Sequence, residues 1–175
     1  MPHPTRRELL IAAGAIALGA APAHAQTFPD RALRLTVGFP PGSGPDVVAR
    51  LLAQRLGELL KQQVVVDNKA GAGGQIAAQG VAKSPADGYG LLLGEVGSIA
   101  IAPPAFSKLP YDPAKELLGI SEVVRSDFLL VVPANSPHQN VADFVKAARA
   151  RADKTNFGTF GAGTPGHFGA ELFAE

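Results

Sequence analysis

The chain has 175 residues, 46% of them hydrophobic, with 20 glycines, 15 prolines, no cysteine and a formal net charge of +1. That composition fits a globular protein rich in tight turns and excludes a disulfide scaffold. With 16 basic against 15 acidic residues and no arginine run, the footprint of a nucleic-acid binder is missing.

Residues 1–25 read as an export leader. Thr5-Arg6-Arg7-Glu8-Leu9-Leu10 precedes a small apolar run from Leu9 to Ala21, and Ala23-His24-Ala25 supplies a small-residue cleavage site, so the mature chain is expected to begin at Gln26 in the periplasm. The run is shorter than the roughly 20 residues that span a bilayer. Paired arginines followed by two leucines are similar to a twin-arginine signal, a feature that ordinary basic leaders share. Loss of Arg6, Arg7 and Glu8 with the leader leaves equal numbers of basic and acidic residues. An exported chain without cysteine must rest on its apolar core. Beyond the leader only His138 and His167 remain, too few for a structural zinc or a redox centre, and neither metal nor cofactor is expected.

From Arg34 onward, short apolar runs alternate with segments of helical period, the pattern of βα units in a parallel sheet. Strands are expected at Arg34 to Phe39, Gln63 to Asp67, Tyr89 to Gly94, Leu117 to Val124, Phe128 to Val132 and Thr155 to Phe160. The first helix carries Val47, Val48, Leu51, Leu52, Leu56, Leu59 and Leu60 at three- and four-residue spacing, all expected to face the sheet. A second runs from about Gly74 to Lys83 and is stopped by Pro85. The four prolines between Ala102 and Pro113 exclude regular helix or central strand there and mark an ordered surface excursion. A third helix covers Val141 to Arg151 with Asn140 as N-cap, and a last one runs from Pro165 to Glu175. The restart of the pattern after Arg125 divides the mature chain into a first α/β lobe over 26–124 and the start of a second over 125–175, which is expected to be incomplete.

Val37-Gly38-Phe39-Pro40-Pro41-Gly42-Ser43-Gly44-Pro45-Asp46 joins the first strand to the first helix with almost no side-chain bulk. A helix N-terminus leaves amides unpaired and carries partial positive charge, so such a loop can cradle a carboxylate or phosphate without a basic side chain. Pro45 suits the first helical position, and an ordinary strand-to-helix turn has the same layout. Two more glycine turns follow, Asn68 to Gly74 and Gly158 to Gly166. Ligands of open α/β sheets bind outside the carboxyl ends of the strands. The middle turn is read as a plain connector.

Five motifs taken in order carry a resemblance. They are Phe39-Pro40-Pro41-Gly42-Ser43-Gly44-Pro45-Asp46, Val65 to Gly74, Ala86-Asp87-Gly88-Tyr89-Gly90-Leu91-Leu92-Leu93-Gly94, Leu109-Pro110-Tyr111-Asp112-Pro113, and Gly163-Thr164-Pro165-Gly166-His167 through Phe173. Together they resemble the solute receptors of tripartite tricarboxylate transporters, the Bug family of periplasmic binding proteins. The resemblance implies a two-lobed α/β periplasmic binding protein fold of the type II, Venus-flytrap kind. It also implies a cleft closing on a small carboxylated solute, delivery to membrane transporter subunits, action as a monomer, and no catalysis. Carried over by position, ligand contacts fall on Phe39, Gly42, Ser43 and Gly44, on Gly97 and Ser98 within the Gly94 to Ile99 loop, and on Gly161, Ala162, Gly163, Thr164 and His167. Asp46 is read as a cap, since a carboxylate aimed at an anionic solute would repel it. The chain departs from the family's pattern at Ser43 and Pro45, and at Glu95, where a small neutral residue is usual. An ionised Glu95 in a dry cleft would oppose a second carboxylate or accept an amine or amide.

Two other readings stand beside this one. Gly161-Ala162-Gly163-Thr164-Pro165-Gly166 spells the dinucleotide fingerprint G-x-G-x-x-G, which requires a strand before it and a helix after it. Alternatively, the chain is a shortened gene product without binding activity, exposing apolar surfaces that a longer chain would cover. Neither Ser43 nor Ser98 sits in a G-x-S-x-G elbow, which argues against a hydrolase.

Overall fold

The computed structural model describes residues 27–151 and 155–175. The leader and its cleavage after Ala25 lie outside the described residues. Met1–Asp30 and Arg31–Glu175 are separate units, and every element below belongs to the second. Among the described residues no helix is long and apolar enough to cross a membrane.

Strand β1 (Leu33–Val37) is the centre of a three-stranded sheet, with β2 (Val64–Asn68) on one side and β3 (Gly90–Leu93) on the other. Both pairings are parallel, Leu35 lying opposite Val66 and Leu91. Successive residues of a strand point to opposite faces, and Leu35, Thr36 and Val37 are all buried. Both faces of β1 are therefore covered from Leu35 to Val37, whereas Arg34 near its start is exposed. Helix α1 (Gly44–Leu60) packs on β1 and β2, and α2 (Gln75–Ala82) packs on β3 and β1. The three expected strands of this region and both helices form within a residue or two of their expected bounds.

The buried face of α1 differs from the expected one. Ala49 and Ala53 meet Leu35 and Val37, with Leu52 beside them, whereas Val47, Leu51 and Leu59 are exposed. Seven apolar residues span more of the helix circumference than one strand pair can cover. The stripe with the smallest side chains lets the helix axis come closest and becomes the core.

After β3 the chain makes a π-helical turn, Gly97–Ile101, that runs directly into a helical turn, α3 (Ala102–Ala105). Pro103 and Pro104 thus lie within helix, contrary to expectation. They occupy the opening positions, where a missing N–H breaks no helical bond. The rest of the excursion is ordered as expected. Tyr111 is 4% exposed and its Oη donates to the Ser98 carbonyl at 2.6 Å. Asp112 then caps α4 (Pro113–Glu116) by accepting from Ala114 N at 3.1 Å.

Beyond Glu116 only two of the expected elements form. Helix α5 (Val141–Ala150) is capped by Asn140 Oδ1, which accepts from Asp143 N at 2.9 Å, and α6 (Pro165–Ala174) follows Thr164. The runs at 117–124, 128–132 and 155–160 are not strands. A parallel strand exists only through a neighbour's hydrogen bonds, and these segments pair with no strand among the described residues. Leu118, Ile120, Leu129 and Val131 are exposed as a result. What consolidates this region is aromatic. Phe144, Phe157 and Phe173 group with centroids 5.9 to 6.3 Å apart, and Phe128 stacks on Phe160 at 5.6 Å. His138, expected on a solvated loop, is half-buried with its ring edge-on to Phe144.

Candidate functional site

Because all three strands are parallel, their carboxyl ends open at one edge of the sheet and release three glycine turns there. Gly38, just past β1, lies so close to the turn after β2 that a Cβ on it would stand 2.6 Å from Gly74 Cα. Gly74 in turn faces Ser98 Oγ and the Phe39 ring, which a Cβ would meet at 3.5 and 3.7 Å. Phe39 and Ser98 are thus brought together across Gly74, a residue of the turn that the sequence reading took for a connector.

A fourth segment packs on these turns. A Cβ at Gly73 would lie 3.1 Å from the Ala162 carbonyl oxygen, and one at Gly97 would lie 3.1 Å from Pro165 Cδ and 3.4 Å from the Gly163 carbonyl. Gly163 has φ +77° and faces the Phe106 ring and Gln75 Nε2. Gly97, Ser98 and Thr164 are buried at this meeting. Of the expected contacts, Phe39, Gly97, Ser98, Gly163 and Thr164 therefore sit together, Gly161 lies against Thr164, and Gly73, Gln75 and Phe106 join them unforeseen. The one available signal was the density of glycine between Gly71 and Gly74, the composition a close backbone approach demands.

Gly42 and Gly44 stand apart, with nothing within 4 Å of where a Cβ would project. The reason lies in Asp46, which is 2% exposed. Its Oδ2 accepts from Gly42 N at 2.8 Å and Arg50 Nε at 2.9 Å, and its Oδ1 accepts from Asn68 Nδ2 at 2.9 Å. Asn68 Nδ2 also donates to the Phe39 carbonyl at 3.0 Å, so one carboxylate ties the turn after β1 to the end of β2. The Arg50 guanidinium foremost, then the Gly42 amide and Asn68, hold this carboxyl down to about 2. Asp46, expected as a cap, instead lies within the first turn of α1, whose N-cap residue Ser43 makes no side-chain cap bond, and by tying back to Gly42 it takes that amide from the cradle. Ser43 N donates to the Pro40 carbonyl at 3.2 Å and its Oγ to the same oxygen at 2.7 Å. The first turn of α1 keeps the Gly44 amide, for which the described residues supply no acceptor.

The polar groups of the Gly161 segment are also internally engaged. Thr164 Oγ1 donates to the Gly161 carbonyl at 2.5 Å and accepts from His167 N at 3.4 Å. His167 Nδ1 accepts from Gly163 N at 3.3 Å, which makes Nδ1 the unprotonated nitrogen, and Nε2 lies 3.6 Å from Glu171. His167 braces the start of α6. Glu95 is half-buried beside Gly94, and burial pushes its carboxyl above the usual range. The hydroxyls of Ser43, Ser98 and Thr164 all donate to main-chain carbonyls, an arrangement for shaping turns and not for nucleophilic attack. The dinucleotide fingerprint loses its context, because residues 155–160 form no strand ahead of it. Among the described residues no group of three or more His, Cys, Asp or Glu could hold a metal.

Two depressions are found among the described residues. The larger, about 780 Å³, is a shallow hollow along the outer edge of β2 between Arg50 and Lys61. The smaller, about 280 Å³, lies among Phe128, Phe157, Phe160 and Phe173. The larger is clear of the four glycine turns, whereas the smaller is lined in part by Gly158, Thr159, Pro165 and Gly166 of the fourth; backbone geometry, and not cavity size, marks the site.

Residues 48–175 match the family model described as the tripartite tricarboxylate transporter family receptor. A UPF0065 protein of Bordetella bronchiseptica is 42% identical over 156 residues, covering 89% of this chain and 46% of its own length. The protein BugT of Bordetella pertussis is 37% identical over 155 residues, covering 88% of this chain and 48% of its own. Among solved structures, an R. palustris protein with adipate is 35% identical with a TM-score of 0.69 over 83% of this chain and 49% of its own. The periplasmic binding protein BugD is 32% identical with the same TM-score over 83% and 48%. The chain spans about half the length of each of these relatives.

Proposed function

Because the chain belongs to the tripartite tricarboxylate transporter receptor family, we propose that it captures a small carboxylated metabolite in the periplasm and passes it to membrane transporter subunits, acting as a monomer. The first lobe is residues 26–124, and the second begins at residue 125. Phe39 and Gly44 offer the contacts on the solute, with Gly42, Ser43, Gly97, Ser98, Gly161, Gly163, Thr164 and His167 shaping the turns that present them. The observation that carries this reading is the seating of the turns after β2 and β3 on the Gly161–Pro165 loop, with the turn after β1 packed on Gly74. Main-chain amides can approach a carboxylate there without a side chain between them. The adipate held by the R. palustris relative supports the solute class. The family is one of receptors, and binding needs no bond to break.

Thermal unfolding with adipate, succinate and citrate tests the proposal. A ligand that binds only the folded chain stabilises it by about 2.7 kcal/mol at a hundred times its Kd, so at least one of the three is expected to raise the midpoint. A cooperatively unfolding chain whose midpoint none of them moves would sink the reading.

A further inference from the structure

We propose that Gly73 and Gly97 are positioning residues that set how closely the Gly161–Pro165 loop seats on the turns after β2 and β3, and thereby the length of solute the cleft accepts. The second half of this statement rests on the receptor reading above.

The argument starts from what lies opposite each glycine. Gly73 would direct a Cβ at the Ala162 carbonyl oxygen at 3.1 Å and at the carbonyl carbon and oxygen of Gly163 at 3.2 Å; Gly97 would direct one at Pro165 Cδ at 3.1 Å and the Gly163 oxygen at 3.4 Å. These neighbours are main chain and a proline ring, not the ends of flexible side chains. An added methyl therefore cannot be absorbed by a rotamer change, and the loop must move by a few tenths of an ångström. Thr164, 1% exposed, is covered by this same meeting. Gly158 and Gly169 flank the loop with nothing within 4 Å of a Cβ, so the structure contains its own controls.

A short dicarboxylate that must reach donors on both walls loses one set when the walls part, because hydrogen bonds weaken steeply outside a narrow range of distance and angle. A longer one re-spans the gap by changing its torsions. Parting the walls therefore changes selectivity, not only affinity.

The test compares Gly73→Ala and Gly97→Ala with Gly158→Ala and Gly169→Ala by two measurements. In the first, amide hydrogen exchange without solute is expected to quicken about ten-fold at Gly163, His167 and Phe168 in the first pair. It should stay unchanged in β1, β2 and β3, and unchanged throughout the second pair. In the second, calorimetric titration with succinate and adipate is expected to show succinate affinity falling about ten-fold and adipate affinity less than about three-fold in the first pair. Gly97 is the cleaner site, because Gly73 has φ +59° and alanine there adds backbone strain; should one variant fail to fold, the other decides. Unchanged local exchange would overturn the seating, and equal losses for both acids would overturn its link to solute length. A wild-type chain that binds neither acid would sink the receptor reading and the length claim with it, while exchange would still decide the seating.

Discussion

Tyr111 offers a clean test of how the site is held, because a single hydroxyl can be removed while the ring stays in place. Its Oη donates at 2.6 Å to the carbonyl of Ser98, inside the π-helical turn that carries Gly97, and both residues are nearly inaccessible to solvent. Tyr111→Phe deletes one buried hydrogen bond and leaves a buried carbonyl without it. A typical bond contributes about 1 kcal/mol net and an orphaned buried acceptor costs about 1–3 kcal/mol, so the expected loss is about 1–2 kcal/mol. For a chain of this size that lowers the thermal midpoint by about 3–6 °C. With a slope near 2 kcal/mol/M, the urea midpoint falls by about 0.7 M and the slope itself stays unchanged. Burial pushes the Tyr111 hydroxyl above its ordinary value of 10.0, so the folded chain holds the proton longer than the unfolded one. The contribution is complete below that value and declines only as pH rises through it. A phenylalanine variant with a urea midpoint within about 0.1 M of wild type would refute the reasoning, as would an altered slope, which signals a change in the unfolded ensemble.

Asp46→Asn is expected to lower the urea midpoint at neutral pH, since an amide cannot accept from Gly42, Arg50 and Asn68 together. The wild-type carboxyl is held down from 3.8 to about 2, so its stabilisation is present above 3.8 and lost as pH falls through about 2. The variant should lack that acid slope; matching acid slopes would remove Asp46 from the account. Gly38→Ala places a methyl 2.6 Å from Gly74 Cα, a clash of backbone with backbone. It is expected to cost about 1–3 kcal/mol by thermal unfolding, whereas Gly44→Ala, which meets open space, should leave the stability within about 0.5 kcal/mol of wild type.

The region from Leu33 to Leu93 was legible because each of its apolar runs finds its partner strand within the same stretch. β1 was read as a short apolar run within a βα pattern, and β2 and β3 supply its hydrogen bonds. The runs at 117–124 and 128–132 are as apolar as β2 and β3, and composition carries no information about whether a neighbour is in place. The helix cap at Asn140 was readable because capping is local, three or four residues in reach. Which face of α1 is buried was not, since Ala49 and Ala53 prevail over Leu51 and Leu59 by their small size against β1, a property of the pair of elements and not of the helix. At the site, Phe39, Ser98, Gly163 and Thr164 were expected from the family's motif positions, and the turns bring them together. Gly73 and Phe106 were not: their importance lies in what presses on them from more than fifty residues away in the chain.

A frame in which Gly38, Gly73, Gly74, Gly97 and Gly163 meet by backbone alone is specified by the bulk it omits. Its dimensions are then insensitive to most exchanges of one side chain for another and respond instead to any methyl added to the glycines themselves. The bulky groups at its margin are Phe39, which lies over Gly74, and Gln75 and Phe106, which lie over Gly163.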